Sequence, residues 1–571
     1  MGQKINNVTS VLGIHVGTVN TRAALFDIVQ RSYRFLAQAE AQSTYEAPTF
    51  DAREGAYQAI RELEERTGAV LIDENGWLQV GLEKPGCGVG KLVMTTSCGS
   101  NYRSATLGLL EDMSLGAVNR LARSILGPVT CSIGINDHRT ASDQLDELIR
   151  HSPEFIIFSG GSEGGASRSV LQLARLVTQL LQVTPRENRP IVFYCGNSTL
   201  GQQLKESVDH FTRVRVSQNV HPGIDRETLA PAQRDLGEML VEIEALRVGG
   251  LGSLARKCSV PAIPDHLGVA EVVRFLGRKF DPAKGALGIS LEDSDSFVSY
   301  ANHQSSISLK FPYGNGQGTE TLLRQSDITD VTTWLDGSKS DEFIRDSLLQ
   351  AALFSGSIPA SAVDLEIKLA FQRHLITRMM ADLETQNQGI PRCFEPILVS
   401  SDFLNRVPDA RQVLLTILDG VQPLGITQVI LDSHCLLGLI GASARLNPVL
   451  SAQLLESSVF TKLATVVNIR SRQREGTTLV AACLEKSGAF SEQRKVKKGT
   501  LVTLPLEPGE EALLHIRKIH PCEIEDVDMP GVPIKVTGSV CGVVIDARGR
   551  PLKIPDNVFE RREAFKTWHI D

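Results

Sequence analysis

Twice in 571 residues the sequence opens a block with three closely spaced β-rich runs and then shifts to alternating helical and strand patterns. The first set is "VLGIHVG", "RAALFDIV" and "YRFLAQAEA", starting at residue 11. The second, from about 285, is "GALGISLED", "SDSFVSYANHQ" and "SISLKFPYG". Runs this close together fold as an antiparallel meander, whereas strands separated by helices pair in parallel through crossovers. The meander and the crossover strands after it therefore predict one mixed α/β sheet with helices on its faces. The repetition predicts a duplicated domain with a cleft between the copies.

After the first meander come the helix "AREGAYQAIRELEERTG", the strand "KLVMTTS" and a helix–strand alternation to about residue 220. The second block contains a helical stretch over about 341–385, then "PILVSSDFL", "ARQVLLTILDGV" and "GITQVILDSH". From about 477 short β-runs and turns take over, ending in the helix "NVFERREAFKTW". The expected organisation is thus 1–280, 281–476 and a small β-rich domain over 477–571.

Composition is that of a globular chain, with 42% hydrophobic and 22% charged residues. The net charge of −7 argues against nucleic acid as a partner. The densest basic run, Arg494-Lys495-Val496-Lys497-Lys498, is short and lacks interleaved aromatics. Ten scattered cysteines form no C-x-x-C pair, as expected of buried thiols in the cytoplasm. No run approaches the length of a membrane span, so no membrane partner is expected. The opening Met1-Gly2 fits a myristoylation signal in form only.

Two stretches could hold a phosphate. In the turn Gly17-Thr18-Val19-Asn20-Thr21-Arg22, glycine admits close backbone approach and the polar side chains can donate to phosphate oxygens. The same stretch also fits an ordinary β-turn. In "FIIFSGGSEGGASRS" an apolar strand runs into Gly160-Gly161-Ser162-Glu163-Gly164-Gly165 before an amphipathic helix that Ser167 could cap. Strand, glycine loop and helix N-terminus make an anion site. "FYCGNS" ends a neighbouring strand and is expected to border the same crevice. Neither is a Walker A loop. In "TTSCGSNYR", Thr95, Ser97, Cys98 and Ser100 follow a strand end, but no nearby His or acid at a recognisable spacing activates a nucleophile there.

In order and spacing, "GIHVGTVNTRAALFD", "VMTTSCGS", "FIIFSGGSEGGASRS", "IVFYCGNS", "PILVSSDFL", "LDGVQPLGITQVILD" and "GVVIDARGRPLKIP" resemble the glutamate mutase L family. Its members are accessory proteins encoded beside adenosylcobalamin-dependent glutamate mutase. The resemblance implies the actin, heat-shock-70 and sugar-kinase superfamily, a two-lobed duplicated ribonuclease H-like fold with a phosphate hairpin opening each half. It also implies an ATPase-like or chaperone-like partner of the mutase rather than the catalyst of its rearrangement. Each hairpin of that superfamily carries an Asp that positions Mg²⁺ or helps to activate water. Against the family pattern, Gly17, Thr18 and Thr21 match, Arg22 stands for a Lys, and His15 replaces the Asp. Imidazole is a poor ligand for Mg²⁺, which takes oxygen donors.

"GISLEDSDSF" aligns with the second hairpin, with Ser290 at the Asp position, Glu292 and Asp293 at two glycines, and Asp295 and Ser296 at the threonines. Two like charges about 4 Å apart repel by on the order of 4 kcal/mol at an effective dielectric near 20. The alternative hairpin is "FPYGNGQGTE", with Gly314, Gly316, Gly318 and Thr319. The acids of "LEDSD" could instead hold a metal, although the calcium-loop pattern is lacking. No Asp-x-His-x-x-Gly of the kind used by cobalamin domains is present.

The resulting expectation is a degenerate family member, a pseudo-ATPase with no certain cofactor, in which ATP and Mg²⁺ are disfavoured. It would act on a mutase-type enzyme or an intact paralogue, or by self-association. The alternatives are an active ATPase or kinase drawing its acid from Glu163 or Asp27, and a self-assembling structural protein.

Overall fold

The computed structural model describes residues 9–81, 87–99, 101–165, 167–281, 284–386, 390, 392–525 and 532–570. The N-terminal Met-Gly and Ser100 lie outside them. Two compact units share the chain. One holds the residues up to Gly268 together with Ser308–Pro312 and Gly438–Gln453. The other holds Val269–Ile307, Tyr313–Leu437 and the residues from Leu454 onward.

The first unit is built on β1 (Val11–Val16), β2 (Asn20–Val29), β3 (Ser32–Gln42) and β4 (Lys91–Thr96). β1 and β2 pair antiparallel, as do β2 and β3, while β4 runs parallel to β1. Both faces of β1 are buried, which is why it reads as a continuous apolar run. Helix Ala52–Thr67 covers one face. The Asp51 side chain accepts from Arg53 N–H at its start, and Gly68 ends it in the left-handed region at φ 72°. Its Ala56, Ala59, Ile60 and Leu63 share a core with Leu12, Ile14, Val16 and Leu25.

The crossover strands do not continue this sheet. β5 (Ser104–Leu107), β6 (Val129–Ile133), β7 (Phe155–Phe158), β8 (Ile191–Tyr194) and β9 (Val214–Val216) form a separate all-parallel sheet in the order β6-β5-β7-β8-β9. The expectation of a single mixed sheet is corrected here. The open edge of β4 is taken by β10 (Ile263–Pro264), a two-residue strand far along the chain. The inserted strands form a core of their own. The first sheet thus reads β3-β2-β1-β4-β10.

A second sheet repeats this order. β11 (Ala286–Leu291), β12 (Ser296–Ala301), β13 (Ser306–Phe311), β14 (Ile397–Ser401) and β15 (Ile426–Asp432) line up as β13-β12-β11-β14-β15. β12 is antiparallel and β14 parallel to β11. A 3-2-1-4-5 order occurring twice is the duplicated ribonuclease H-like arrangement of the actin-like fold.

Eight strands lie outside this core order or extend it: β16 (Thr461–Asn468) is antiparallel to β15, and β17 (Thr478–Lys486), β18 (Ala489–Phe490) and β19 (Arg494–Lys497) follow. The remaining strands are β20 (Leu501–Leu504), β21 (Glu511–Lys518), β22 (Ile534–Thr537) and β23 (Val543–Asp546). β17, β18, β19, β21 and β22 make a C-terminal β-sheet, but β23 and β20 join the larger sheet through β16. Among the described residues no helix is long and apolar enough to cross a membrane.

Candidate functional site

The first hairpin is tightly determined. His15 lies opposite Arg22 and Val16 opposite Thr21, and Gly17 N–H donates to Asn20 O at 3.1 Å. A Cβ on Gly17 would stand 2.6 Å from Asn20 O and 2.9 Å from His15 Nε2, so only glycine fits the turn undisturbed. Thr18 and Asn20 are half-buried at the turn. Thr21 Oγ1 sits 2.9 Å from Ser43 Oγ, and that hydroxyl donates to Gly17 O at 2.7 Å. Arg22 is buried, with Nε 3.4 Å from Glu40 Oε2.

His15 is not isolated. Its Nδ1 lies 3.2 Å from Asp265 Oδ1 and 3.0 Å from Thr95 Oγ1, while Thr95 Oγ1 donates to the same carboxylate oxygen at 2.8 Å. Burial alone would raise the Asp265 pKa. The imidazole and the hydrogen bonds from His15 and Thr95 outweigh burial and hold it below the usual carboxylate range. Ser97 Oγ is 3.5 Å from His15 Nε2.

Sequence reasoning missed Asp265. It lies 170 positions from Thr95 and directly follows β10, a strand too short to show periodicity. The acids expected to substitute lie elsewhere. Asp27 accepts from Thr9 Oγ1 and Ile28 N–H, each at 2.7 Å. It is seven residues along β2 from Asn20, roughly 23 Å at about 3.3 Å per residue. Glu163 belongs to the inserted sheet. Cys98 is buried against Thr96, and burial pushes its thiol up to about 12, which leaves it inert as a nucleophile.

At the second hairpin Ser290, Asp295 and Ser296 are buried, and Glu292 N–H donates to Asp295 O at 3.1 Å. The "LEDSD" hairpin and the glycine turn of "FPYGNGQGTE" are one interlocked structure rather than rivals. Asn315 N–H donates to Glu292 O at 2.7 Å, and Gly316 and Gly318 N–H donate to Asp293 O at 2.9 and 3.1 Å. A Cβ on Gly314 would lie 2.4 Å from Glu292 O, and one on Gly316 only 1.7 Å from Asp293 Oδ1. The glycines thus make room for the hairpin itself. Thr319 Oγ1 donates to Gly314 O at 3.2 Å.

The Asp293 carboxyl lies in this cradle, accepting from Gln317 N–H at 3.4 Å and hydrogen-bonded to the Ser355 hydroxyl. Burial pushes its pKa up, against the pull of Ser355, Gln317 and Lys368. Burial likewise pushes Lys368 down. Among the described residues no group of three or more His, Cys, Asp or Glu is placed to hold a metal.

The glycine-rich loop after β7 is closed in part by its own backbone. Gly161 and Gly164 take positive φ, 73° and 69°, and Gly165 N–H donates to Ser162 O at 2.9 Å. A Cβ on Gly160 would touch Val170 and Leu109 at 3.0 and 3.1 Å. The loop does border "FYCGNS". Glu163 accepts from Ser198 N–H and Oγ at the start of helix Ser198–Val208 and from Asn219 Nδ2 at 2.9 Å. Burial would raise the Glu163 pKa, and these bonds more than reverse it. Ser167 does not cap helix Arg168–Val183. It has helical φ and ψ and makes no capping hydrogen bond, so the cap expected there is corrected.

With this geometry in view, the family model described as "MutL protein" matches residues 11–289. Over these residues, just under half of the chain, it is similar to the MutL family. The matched segment runs from the first residue of β1 into β11, and so contains the first hairpin, the inserted sheet and Asp265. Similar solved structures include a glycerol dehydratase reactivase, 9% identical over 72% of this chain and 95% of that one, with a TM-score of 0.28. The diol dehydratase-reactivating factor in its nucleotide-free form is 10% identical over 72% and 94%, TM-score 0.29. The xylulose kinase from Bifidobacterium adolescentis is 12% identical over 80% and 94%, TM-score 0.29. Superpositions this loose carry no argument, and the fold is read from the strand order. No curated protein matches the chain.

Proposed function

We propose that this protein is an accessory factor of the glutamate mutase L kind that has kept an ATPase fold without its hydrolytic chemistry. It acts through contact with a protein partner, a mutase-type enzyme or an intact paralogue, in a chaperone-like way. The observation that carries this reading is that the Asp293 peptide carbonyl takes the Gly316 and Gly318 N–H groups, with the Asp293 carboxyl against Gly316, where a phosphate cradle would need free backbone N–H groups. His15 in place of a metal-positioning acid adds to it.

One observation favours a second reading, weak ATP hydrolysis. Asp265 supplies a carboxylate beside the first hairpin after all. Calorimetry and phosphate release with ATP and Mg²⁺ separate the two. Absence of turnover supports the accessory reading. Turnover that disappears in Asp265→Asn but persists in Glu163→Gln sinks it. Affinity capture with a mutase expressed from a neighbouring gene tests the partner.

A further inference from the structure

The motif "GVVIDARGRPLKIP", residues 542–555, takes no part in either hairpin. It leaves β23 and walls a cavity of about 680 Å³ in the second unit, closed on another side by helix Val558–Thr567 and Trp568. Six basic side chains line the cavity, Arg470, Arg472, Lys498, Arg548, Arg550 and Lys553, against two acidic ones, Glu475 and Glu563. The chain as a whole carries −7, so this concentration of positive charge is local.

The basic groups divide by what they already hold. Arg548 is spoken for, between Asp546 and Asp419 at 2.9 and 2.8 Å and over the Trp568 ring at 5.3 Å. Arg550 gives Nη2 to Asp546 at 2.6 Å and to Asn468 at 3.1 Å, yet its buried Nε has no hydrogen-bond partner. Arg470 pairs through Nη2 with Glu525 and Glu523, and its Nε is likewise buried without a partner. Lys498 donates to Gln473 O at 2.7 Å and lies 3.4 Å from Glu475. Among the described residues Arg472 and Lys553 form no ion pair and are exposed. The acids that neutralise the arginines, Asp546, Asp419, Glu523 and Glu525, are not part of the lining, so an occupant meets the positive side.

We propose that this cavity binds a small anion bearing linked phosphate groups, independently of Mg²⁺ and of the two hairpins. With Arg472 and Lys553 exposed and in no ion pair among the described residues, the lining presents positive charge to an anion that enters the cavity. Guanidinium groups suit phosphate oxygens in particular. The volume falls in the range of small-ligand pockets rather than of protein interfaces.

The test uses the full-length protein with tripolyphosphate in EDTA. Binding is followed by calorimetry and by Trp568 fluorescence in a Trp77→Phe/Trp334→Phe background. Saturable binding is expected, weakening as salt rises and falling by about tenfold or more in Arg472→Glu/Lys553→Glu. The control Lys205→Glu/Lys339→Glu, with the same net charge, keeps wild-type affinity. If the double reversal lowers the melting temperature, Arg472→Gln/Lys553→Gln takes its place. No saturable binding to the wild type, an equal loss in the control, or no loss in the cavity variants overturns the proposal.

Discussion

At the scale of single residues, His15 and Thr95 hold the Asp265 carboxylate. The Asp265 pKa lies below its unfolded value. The stability it contributes is therefore fully present above the unfolded pKa near 4 and is lost as pH falls through the folded value. Acid unfolding of the wild type should show this loss, and Asp265→Asn should remove that part of the pH dependence. His15→Asp would face two carboxylates across the same 3.2 Å. We expect it to cost about 3–5 kcal/mol in urea unfolding, the usual penalty for breaking a buried pair. It should not bring ATP turnover, because the second hairpin stays filled. Gly17→Ala should destabilise by about 1–3 kcal/mol, since its Cβ meets a carbonyl that cannot leave the turn.

Elements meet in this fold where side chains vanish. Helices Asp265–Lys279 and Leu437–Ser443 cross so closely at Gly268, Gly438 and Gly441 that a Cβ on Gly268 would lie 2.1 Å from Gly438 O. A Cβ on Gly438 would lie 2.1 Å from Asp265 Oδ1. Gly268→Val is therefore expected to disturb Asp265 as well as the packing. Its denaturation midpoint should drop further than that of Gly476→Val, whose position is open even though its φ of 81° also disfavours a side chain. The glycines were visible in the sequence. Their purpose was not, because close approach depends on a partner far along the chain.

For the molecule as a whole, the C-terminal strands are structural members of the second unit. Val467 and Ile469 share one core with Leu479, Val480, Leu514, Val543 and Ile545, and β23 pairs along β16. Ending the chain at residue 476 would leave β16 with an open, apolar edge. Such a truncation is expected to aggregate or to lose its cooperative transition by circular dichroism, whereas an independent domain would detach without harm.

Local pattern determined a great deal here. The two meanders, the Gly-Thr turn, the glycine-rich loop after β7 and the acidic second hairpin all stand where periodicity and turn residues put them, because each is set by neighbours within a few residues. Three things were decided only in three dimensions. The crossover strands make their own sheet rather than extending that of β4, whose last two residues pair with a two-residue strand from far along the chain. Asp265 reaches His15 because that same strand delivers it. The glycines of 314–318 and the acids of 292–295, which look like competing candidates in sequence, close on each other because the turn after β13 folds back over the loop between β11 and β12. Pairing across such distances is fixed by which edges and cavities the rest of the chain leaves free, and no local pattern contains that.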